Sequence, residues 1–411
     1  MPSSSKRVQK PKLSVSDSAA AASFSHGAHK KFWDALPDHE FFGPSLTHIY
    51  FYSEVNEETV TLLRSQILEA AKGTQEHFHP SSGNSVLTSP KPIAVHVHSP
   101  GGDVWAGNWL LSLFNQVHVP ICTVVDSISA SAATFLTVSS PYRVVTSFSR
   151  CMLHDYWGAM MGKREEMLAI QSAVEQRLAR LKRMYLSRSR FTSTELDALM
   201  RRDIWLDADT CMKKGIADRL VRPDKTVSVS SSLMKTKTMP FFKTNWNVLY
   251  SACSEAMPQE LDALLSESQI TKPVVFNAPG GMECMDVDIV FAYIPRIQSF
   301  SIPIYGVVDN DLSWFEMLPV QYCQRRYMYD NAHVVSHLAY VEGRGRLQDI
   351  VHNTQVERAL IERVLKERGR PTKEFLDDIV DRPRHVTADE CLRMGLVDEI
   401  VRTGLVDTRK A

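Results

Sequence analysis

The sequence predicts an α/β fold that is present in two tandem copies. Three blocks of the first half recur in the second half, in the same order and at a spacing of about 180 residues. HSPGG (98–102) recurs as NAPGG (277–281), VPICTVVDS (119–127) as IPIYGVVDN (302–310), and ADTCMKKGIADRLV (208–221) as ADECLRMGLVDEIV (388–401). One short match could arise by chance, but three collinear matches indicate an internal repeat. Within each copy, β-rich apolar runs alternate with helical patterns, which favours a parallel sheet covered by helices.

The elements of the first copy follow from the spacing of its apolar residues. Strands are predicted at 47–53, 92–97 and 121–125, where β-branched and aromatic residues are concentrated. A helix over 57–71 places four apolar side chains on one face: Val60, Leu63, Ile67 and Ala71. A second helix follows the Pro-Gly-Gly turn, and DSISASAATFL (126–136), rich in small residues, is expected to open a third. The longest helical pattern covers 163–187.

Composition shifts suggest how these elements are divided into domains. We expect an N-terminal tail over 1–45, a first domain over 46–221, a linker over 222–245, a second domain over 246–402 and a tail over 403–411. Residues 73–92 are predicted to form an exposed loop. Residues 1–31 have no apolar core of a secretory signal. They are a solvated disordered tail or an organelle transit peptide, so the expected location is the cytoplasm or the plastid or mitochondrial matrix.

Charge and cysteine content exclude several functional classes. The 411-residue chain has 47 basic and 47 acidic residues, so a nucleic acid or an anionic membrane surface is not expected as a partner. No apolar stretch is long enough to cross a bilayer. The seven cysteines are widely spaced and form no CxxC motif. This pattern indicates reduced thiols in a reducing compartment.

Three polar residues of the first copy could form a nucleophilic site. A serine of DSISASAATFL (126–136) would lie where the strand ICTVV leads into the predicted helix, near backbone N–H groups that can stabilise an oxyanion, and Gly101-Gly102 could supply another. A serine requires a base that is oriented by a carboxylate, and His154 and Asp203 are candidates for those roles. Each also has a structural alternative: the serine or the aspartate as a cap and the histidine as a core residue.

Longer motifs around these residues resemble a known family. HSPGGDVWAG (98–107), SISASAATFL (127–136), RCMLHDYWG (150–158) and RRDIWLDADTCMKKGIADRLV (201–221) are similar to blocks of ClpP, the proteolytic subunit of the Clp protease. The resemblance covers 46–221. It implies the ClpP/crotonase fold and a serine endopeptidase that cleaves unfolded polypeptides in protein quality control.

The resemblance also implies roles for individual residues. Ser131 would be the nucleophile, His154 the base and Asp203 the orienting acid, with oxyanion-binding N–H groups from Gly102 or Gly101 and from Ala132. It further implies no cofactor, an oligomeric ring of like or related chains, and an AAA+ ATPase as partner. The sequence has no GxxxxGK[ST] motif, so ATP hydrolysis would belong to another chain.

The second copy is expected to keep the fold and lose the chemistry. Aligning the two copies places Trp314 opposite Ser131, and Ser313 is one position short, which turns a helical side chain by about 100°. His337 aligns with His154, but Pro383 aligns with Asp203 and Asp381 is two positions away. We therefore predict a catalytically silent domain that fills a subunit position beside the first copy.

Other functions remain open from the sequence. A crotonase-like acyl-CoA enzyme shares the fold but does not require the three residues together, and a non-proteolytic structural subunit would use none of them. A membrane-anchored Ser–Lys peptidase also has tandem halves, but the anchor is missing. The pattern His77, His79, His96 and His98 would allow a metal site, since residues i and i+2 share a strand face; we favour a structural role and predict no metal.

Overall fold

The computed structural model describes residues 26–72, 77–78, 85–86, 90–111, 113–155, 164–222, 247–250, 274–278, 287–299, 303–308, 311–336, 347–373, 375–377 and 384–402. Residues 1–25, nearly all of the predicted linker, and 403–411 lie outside the described residues. Among the described helices, none has the length and apolar character needed to cross a membrane.

The strands of the first copy are β1 Thr47–Phe51, β2 His77–Phe78, β3 Ser85–Val86, β4 Ile93–Ser99, β5 Ile121–Ala130, β6 Arg143–Thr146, β7 Arg150–Met152, β8 Trp205–Asp207 and β9 Arg219–Val221. Seven of them form one sheet, whose main path has the order β1-β4-β5-β6-β9, all parallel. Strand β7 pairs with the far end of β5 and, antiparallel, with β8. The α-helices are α1 His26–Ala35, α2 Glu57–Lys72, α3 Val104–Leu110, α4 Ala133–Ser139, α5 Arg164–Arg188, α6 Ser193–Met200 and α7 Ala208–Lys214.

The second copy repeats this topology. Its strands are β10 Asn247–Tyr250, β11 Val274–Ala278, β12 Ile304–Val308, β13 Leu312–Ser313, β14 Arg325–Tyr329, β15 His333–Ser336, β16 Arg384–Thr387 and β17 Glu399–Val401. The parallel sheet has the order β10-β11-β12-β14-β17, and a small sheet, β13-β15-β16, combines one parallel and one antiparallel pairing as β5, β7 and β8 do. The helices are α8 Val287–Ser299, α9 Trp314–Val320, α10 Leu347–Arg368 and α11 Ala388–Arg393. The predicted tandem α/β architecture is confirmed.

The central strands β4 and β5 are buried along their whole length, as expected for parallel strands covered on both faces. The third strand is predicted to end at Val125, with a helix soon after. In the structure β5 continues to Ala130, because Ile128 to Ala130 pair with Arg150 to Met152 of β7. This tertiary pairing outweighs the small-residue composition of the segment. The helix therefore begins only at Ala133.

Part of the predicted N-terminal tail is folded. Residues 26–45 include α1 and a 3₁₀ turn over Asp38–Phe42. The side chains of Trp33, Phe41 and Phe42 are buried against the first sheet, and Trp33 stacks on Tyr142 with the ring centroids 6.1 Å apart. Burying three aromatic side chains offsets the entropy of ordering this short segment. The folded first copy therefore includes residues that precede position 46, where the sequence places the start of the domain.

The predicted loop over 73–92 contains two short strands among its described residues. His77–Phe78 pairs antiparallel with Ser85–Val86. These strands form a small two-stranded sheet of their own, apart from the main path of the first copy. The segment between α2 and β4 therefore contains two short antiparallel strands.

The two copies are in direct contact. Phe148 of the first copy belongs to the apolar core of the second, where its ring stacks on Phe291 of α8 at a centroid distance of 5.6 Å. Arg363 of α10 donates to the carbonyl oxygen of Ser147 at 2.9 Å, and Arg150 pairs with Asp288. Helix α8 thereby covers β5 from the side opposite to the first copy's main core.

A buried carboxylate lies at this contact. Asp126 on β5 accepts hydrogen bonds from His96 at 3.0 Å and from the hydroxyl of Tyr52 at 2.5 Å, and Arg296 of α8 is 3.4 Å from its Oδ2. Burial by itself raises the pKa of the Asp126 carboxyl. The charges of His96 and Arg296 and the hydrogen bonds from His96 and Tyr52 outweigh it, so the pKa lies below its usual range.

We expect Arg296→Met to lower the free energy of unfolding by about 3–5 kcal/mol, because it removes the cation and leaves a buried carboxylate. Urea unfolding followed by circular dichroism measures this. The matched control is Arg325→Met, since Arg325 pairs at 3.1 Å with Glu399 and both side chains are more than two-fifths exposed. That exposed pair should contribute less than about 1 kcal/mol. If both variants lose the same free energy of unfolding, the buried pair contributes no more than the exposed pair and the prediction is wrong.

Acid should also reduce the contribution of Asp126 to the free energy of unfolding. An unfolded aspartate has a pKa of about 4, whereas the pKa of Asp126 in the folded protein is lower. Its stabilising contribution is therefore present above that pH and is lost as pH falls towards the folded pKa. Arg296→Met removes one cause of the lowering, so the gap between the folded and unfolded pKa narrows. Between neutral pH and acid, the free energy of unfolding of this variant should therefore fall less than that of the wild type, as measured by urea unfolding at a series of pH values.

Candidate active site

Ser131 lies at the junction between β5 and α4 in an unusual backbone conformation. Its φ is +50°, and it is the one non-glycine residue with positive φ among the described residues. Its N–H donates to the carbonyl oxygen of Met152 at 2.8 Å, and its own carbonyl oxygen accepts from the N–H and the hydroxyl of Thr134. These bonds hold a strained turn that directs the serine hydroxyl out of the sheet edge.

His154 and Asp203 complete a continuous chain of hydrogen bonds. Ser131 Oγ is 2.8 Å from His154 Nε2, and His154 Nδ1 is 3.0 Å from Asp203 Oδ1. With the proton on Nδ1, the imidazole donates to the carboxylate and accepts from the serine hydroxyl. His154 follows β7 and Asp203 precedes β8, so the antiparallel pairing of these strands brings the two together. The structure therefore juxtaposes the three predicted residues, which are up to 72 positions apart in sequence.

The glycine turn after β4 lies against the serine. Gly101 and Gly102 have φ of +96° and +140°, a region that favours glycine. A Cβ on Gly101 would lie 2.6 Å from Ser131 Cβ and 3.1 Å from the nitrogen of Ala132. The N–H of Gly101 is 3.3 Å from Ser99 Oγ, its hydrogen-bond acceptor. Of the two glycines, Gly102 is therefore the better candidate for an oxyanion donor together with Ala132.

These residues line one cleft. It has a volume of about 310 Å³, and its walls include Gly101, Gly102, Ser131 and His154. Apolar side chains from α4 and α5, Phe135 and Leu181, form part of the wall. The side chain of His154 is 22% exposed and that of Asp203 is 49% exposed, so the imidazole is reachable from the cleft while the carboxylate lies towards solvent.

The corresponding junction of the second copy has a different structure. Trp314 occupies the position of Ser131, and its side chain is buried in the core, where it contacts Phe375. Ser313 caps helix α9: its hydroxyl donates to Glu316 at 2.9 Å and accepts from the N–H of the same residue. A serine engaged in a capping box is not directed towards an open cleft. His337, Asp381 and Pro383 lie outside the described residues.

Two members of the histidine pattern, His96 and His98, are buried in the first copy. His96 is fully buried between His48, at 2.9 Å, and Asp126. His98 is also buried, on the same face of β4, and His79 lies outside the described residues. In the described ranges, no group of three or more histidine, cysteine or acidic side chains is arranged to hold a metal ion.

Comparison with known proteins identifies the family. Residues 84–224 and 317–404, which together make up more than half of the chain, match the sequence profile described as Clp protease. The chain belongs to the Clp protease family. The two matched segments fall in the two copies, in agreement with the tandem architecture. This Clp protease family member therefore carries the predicted ClpP-like fold twice.

Several relatives match this Clp protease family member. The ATP-dependent Clp protease proteolytic subunit 1 of Chlamydia muridarum is 26% identical over 140 residues, which are 33% of this chain and 73% of the relative. The proteolytic subunits of Porphyromonas gingivalis and Treponema pallidum (subunit 2) are 24% and 27% identical, and the match covers 62% and 69% of their lengths. A solved structure of a ClpP1 mutant from Listeria monocytogenes matches 43% of this chain and 91% of its own, with 18% identity and a TM-score of 0.35.

One neighbour of the site was not predicted from the sequence. Asn353, on helix α10 of the second copy, donates a hydrogen bond to the carbonyl oxygen of Asp203 at 2.9 Å. The two residues are 150 positions apart. No local motif marks this asparagine, because its role depends on how the two copies meet. Only the tandem repeat hinted that the second copy lies beside the first.

We expect Gly101→Ala to slow the reaction of Ser131 with a fluorophosphonate, a reagent for activated serines, by about 100-fold. The new Cβ would lie 2.6 Å from the carbonyl oxygen of Ala130 and from Ser131 Cβ, so the nucleophile must move. The control is Gly395→Ala, because Gly395 also has a positive φ, +66°, but its Cβ would lie 3.7 Å from Cα of Gly369, an ordinary van der Waals distance. A wild-type rate for Gly101→Ala would contradict the tight packing of the turn.

Proposed function

We infer that the first copy is a serine endopeptidase that hydrolyses peptide bonds of unfolded polypeptides, and that the second copy is catalytically silent. The observation that carries this proposal is the unbroken chain Ser131–His154–Asp203, with distances of 2.8 and 3.0 Å, at the edge of a cleft. A crotonase-like acyl-CoA enzyme or a structural subunit has no need of this arrangement. Membership of the Clp protease family supports the same reaction class.

In the proposed reaction, His154 acts first as base and then as acid. Ser131 Oγ attacks the peptide carbonyl carbon while its proton passes to His154 Nε2, and Asp203 stabilises the resulting imidazolium through Nδ1–H. The N–H groups of Gly102 and Ala132 bind the oxyanion. His154 then donates the proton to the leaving amine, which departs and leaves an acyl-enzyme. Water, deprotonated by His154, hydrolyses the ester and releases Ser131.

Size limits the substrate in this proposal. A cleft of about 310 Å³ accommodates a short extended segment, whereas a folded domain cannot enter it. A separate AAA+ ATPase would therefore have to unfold and deliver protein substrates, since the sequence lacks a phosphate-binding GxxxxGK[ST] motif. Assembly with further ClpP-like chains into a ring belongs to the same proposal.

The decisive test is labelling of the assembled full chain with a fluorescent fluorophosphonate, with the labelled peptide identified by mass spectrometry. We expect the label on Ser131 and its complete loss in Ser131→Ala. Asp203→Asn should slow labelling by about 10⁴-fold, because the imidazole then loses its orienting anion.

Ser313→Ala is the matched control, since it removes the serine nearest to the corresponding position of the second copy. Its labelling should equal that of the wild type. If the label persists in Ser131→Ala and disappears in Ser313→Ala, the reactive serine lies in the second copy and the proposal is wrong. An unlabelled wild type would favour the acyl-CoA or structural function.

Without an ATPase, we expect the protein to cleave short fluorogenic peptides and a permanently unfolded polypeptide but to leave a stably folded fluorescent protein intact. The physical reason is access to the cleft, which requires an extended chain. Loss of fluorescence and gel electrophoresis measure cleavage, and the Ser131→Ala variant controls for contaminating proteases. Equal cleavage of the folded and the unfolded substrate would exclude the proposed size limit.

A further inference from the structure

The segment that carries Asp203 has two hydrogen bonds to its own copy: the Arg202 N–H donates to the carbonyl oxygen of Leu199 at 2.9 Å, and Asp203 Oδ1 lies 3.0 Å from His154 Nδ1. The segment crosses from the end of α6 at Met200 to the start of β8 at Trp205 without regular structure. Strand β8 pairs with β7, and the N–H and the carbonyl oxygen of Trp205 hydrogen-bond to Asn353 and His352 of the second copy. The carboxylate of Asp203 is half exposed. Neither burial nor a strand ladder therefore fixes the position of this side chain.

Helix α10 of the second copy covers this segment. The side-chain amide of Asn353 makes two hydrogen bonds to it: Nδ2 donates to the carbonyl oxygen of Asp203 at 2.9 Å, and Oδ1 accepts from the N–H of Trp205 at 3.0 Å. One planar group thus bridges the two peptide units that flank Ile204. An amide is suited to this task because it carries both a donor and an acceptor.

A second contact anchors the same segment. Both Nε and Nη2 of Arg202 lie within 2.7 Å of Oδ1 of Asp349, whose carboxylate is 4% exposed. Asp349 and Asn353 are four positions apart and therefore project from the same face of α10. Charge-assisted bonds of this kind have restricted geometry, so the helix and the segment are held in one register.

Helix α10 is itself fixed to the second domain. Its buried apolar side chains belong to the core of that domain: Leu360, Ile361, Val364 and Leu365. Because the helix is held by this core, Asn353 and Asp349 are attached to a rigid body. Displacement of Asp203 would then require either breaking these bonds or moving the second copy.

We propose that Asn353 of the silent second copy is a positioning residue for Asp203, so that the second copy completes the active site of the first within one chain. This proposal rests on the proposed function, because it assigns the braced carboxylate to the triad. Asn353 acts through the main chain of 203–205 and does not touch the substrate. The second copy thereby has a function in the reaction although it lacks a nucleophile.

The first test compares labelling kinetics of the assembled full chain. Asn353→Ala should slow fluorophosphonate labelling of Ser131 by about 10- to 100-fold through the rate constant of the chemical step, with unchanged reagent affinity, since the cleft is intact. Thr354→Ala is the control: the Thr354 hydroxyl donates to Ile350 of its own helix, so labelling should stay at the wild-type rate.

A double-mutant cycle separates positioning from general damage to the fold. In an Asp203→Asn background, which has already lost the orienting anion, Asn353→Ala should cause no further slowing. If Asn353→Ala slows labelling by the same factor in both backgrounds, it acts independently of Asp203 and the proposal is wrong. A wild-type rate in the single variant Asn353→Ala would also overturn it.

Hydrogen exchange tests the two hydrogen bonds of Asn353 to residues 203–205 without relying on activity. The Trp205 amide should lose protection in Asn353→Ala, with peptides of the second core unchanged. Asn353→Asp keeps the acceptor for Trp205 and loses the donor to Asp203, so it should retain that protection but label slowly. If the wild type does not label, the proposed function fails. If hydrogen exchange of residues 201–206 is unchanged in Asn353→Ala, Asn353 does not hold this segment and the positioning role is refuted.

Discussion

A carboxylate buried in the first sheet makes the second copy part of the same folded unit. Asp126 lies on β5 five residues before Ser131 and is fully buried. Tyr52 and His96 of its own copy contact it, but the guanidinium 3.4 Å away belongs to Arg296 of the second copy. A buried charge without a nearby cation is costly. The strand that leads to the candidate nucleophile is therefore stable in the presence of the neighbouring domain.

The two copies show that this fold and its chemistry are separable. Both have the same strand order and the same small antiparallel pairing beside the central strand. Among the described residues, they differ at the junction that follows the central strand. In the first copy, Ser131 adopts positive φ under a glycine turn, whereas in the second the chain enters α9 through an ordinary capping box at Ser313 and buries Trp314. The first junction stores strain to expose a hydroxyl, and the second relaxes into a stable helix start.

Much of this could be predicted from local patterns. The repeat and the apolar periodicity predict the topology, and the motifs around Ser131, His154 and Asp203 predict residues that the structure brings within hydrogen-bond distance. The extension of β5 and the packing of Trp33 could not be predicted, because each depends on a partner remote in sequence. The contact of Asn353 is of the same kind. A single polar residue on an amphipathic helix has no signature until the surface opposite it is known.

The exposure of Asp203 explains why support from outside the first copy is the physically reasonable solution. A buried acid is held by the packing around it, whereas a side chain that is 49% exposed keeps its solvent-facing freedom. Fixing the main chain on both sides of Ile204 restricts the carboxylate without removing it from water, and so avoids the desolvation cost. A helix that projects an amide from a neighbouring rigid core provides such a restraint. In a tandem chain this helix is always present at the same effective concentration, so the restraint does not depend on finding a second molecule.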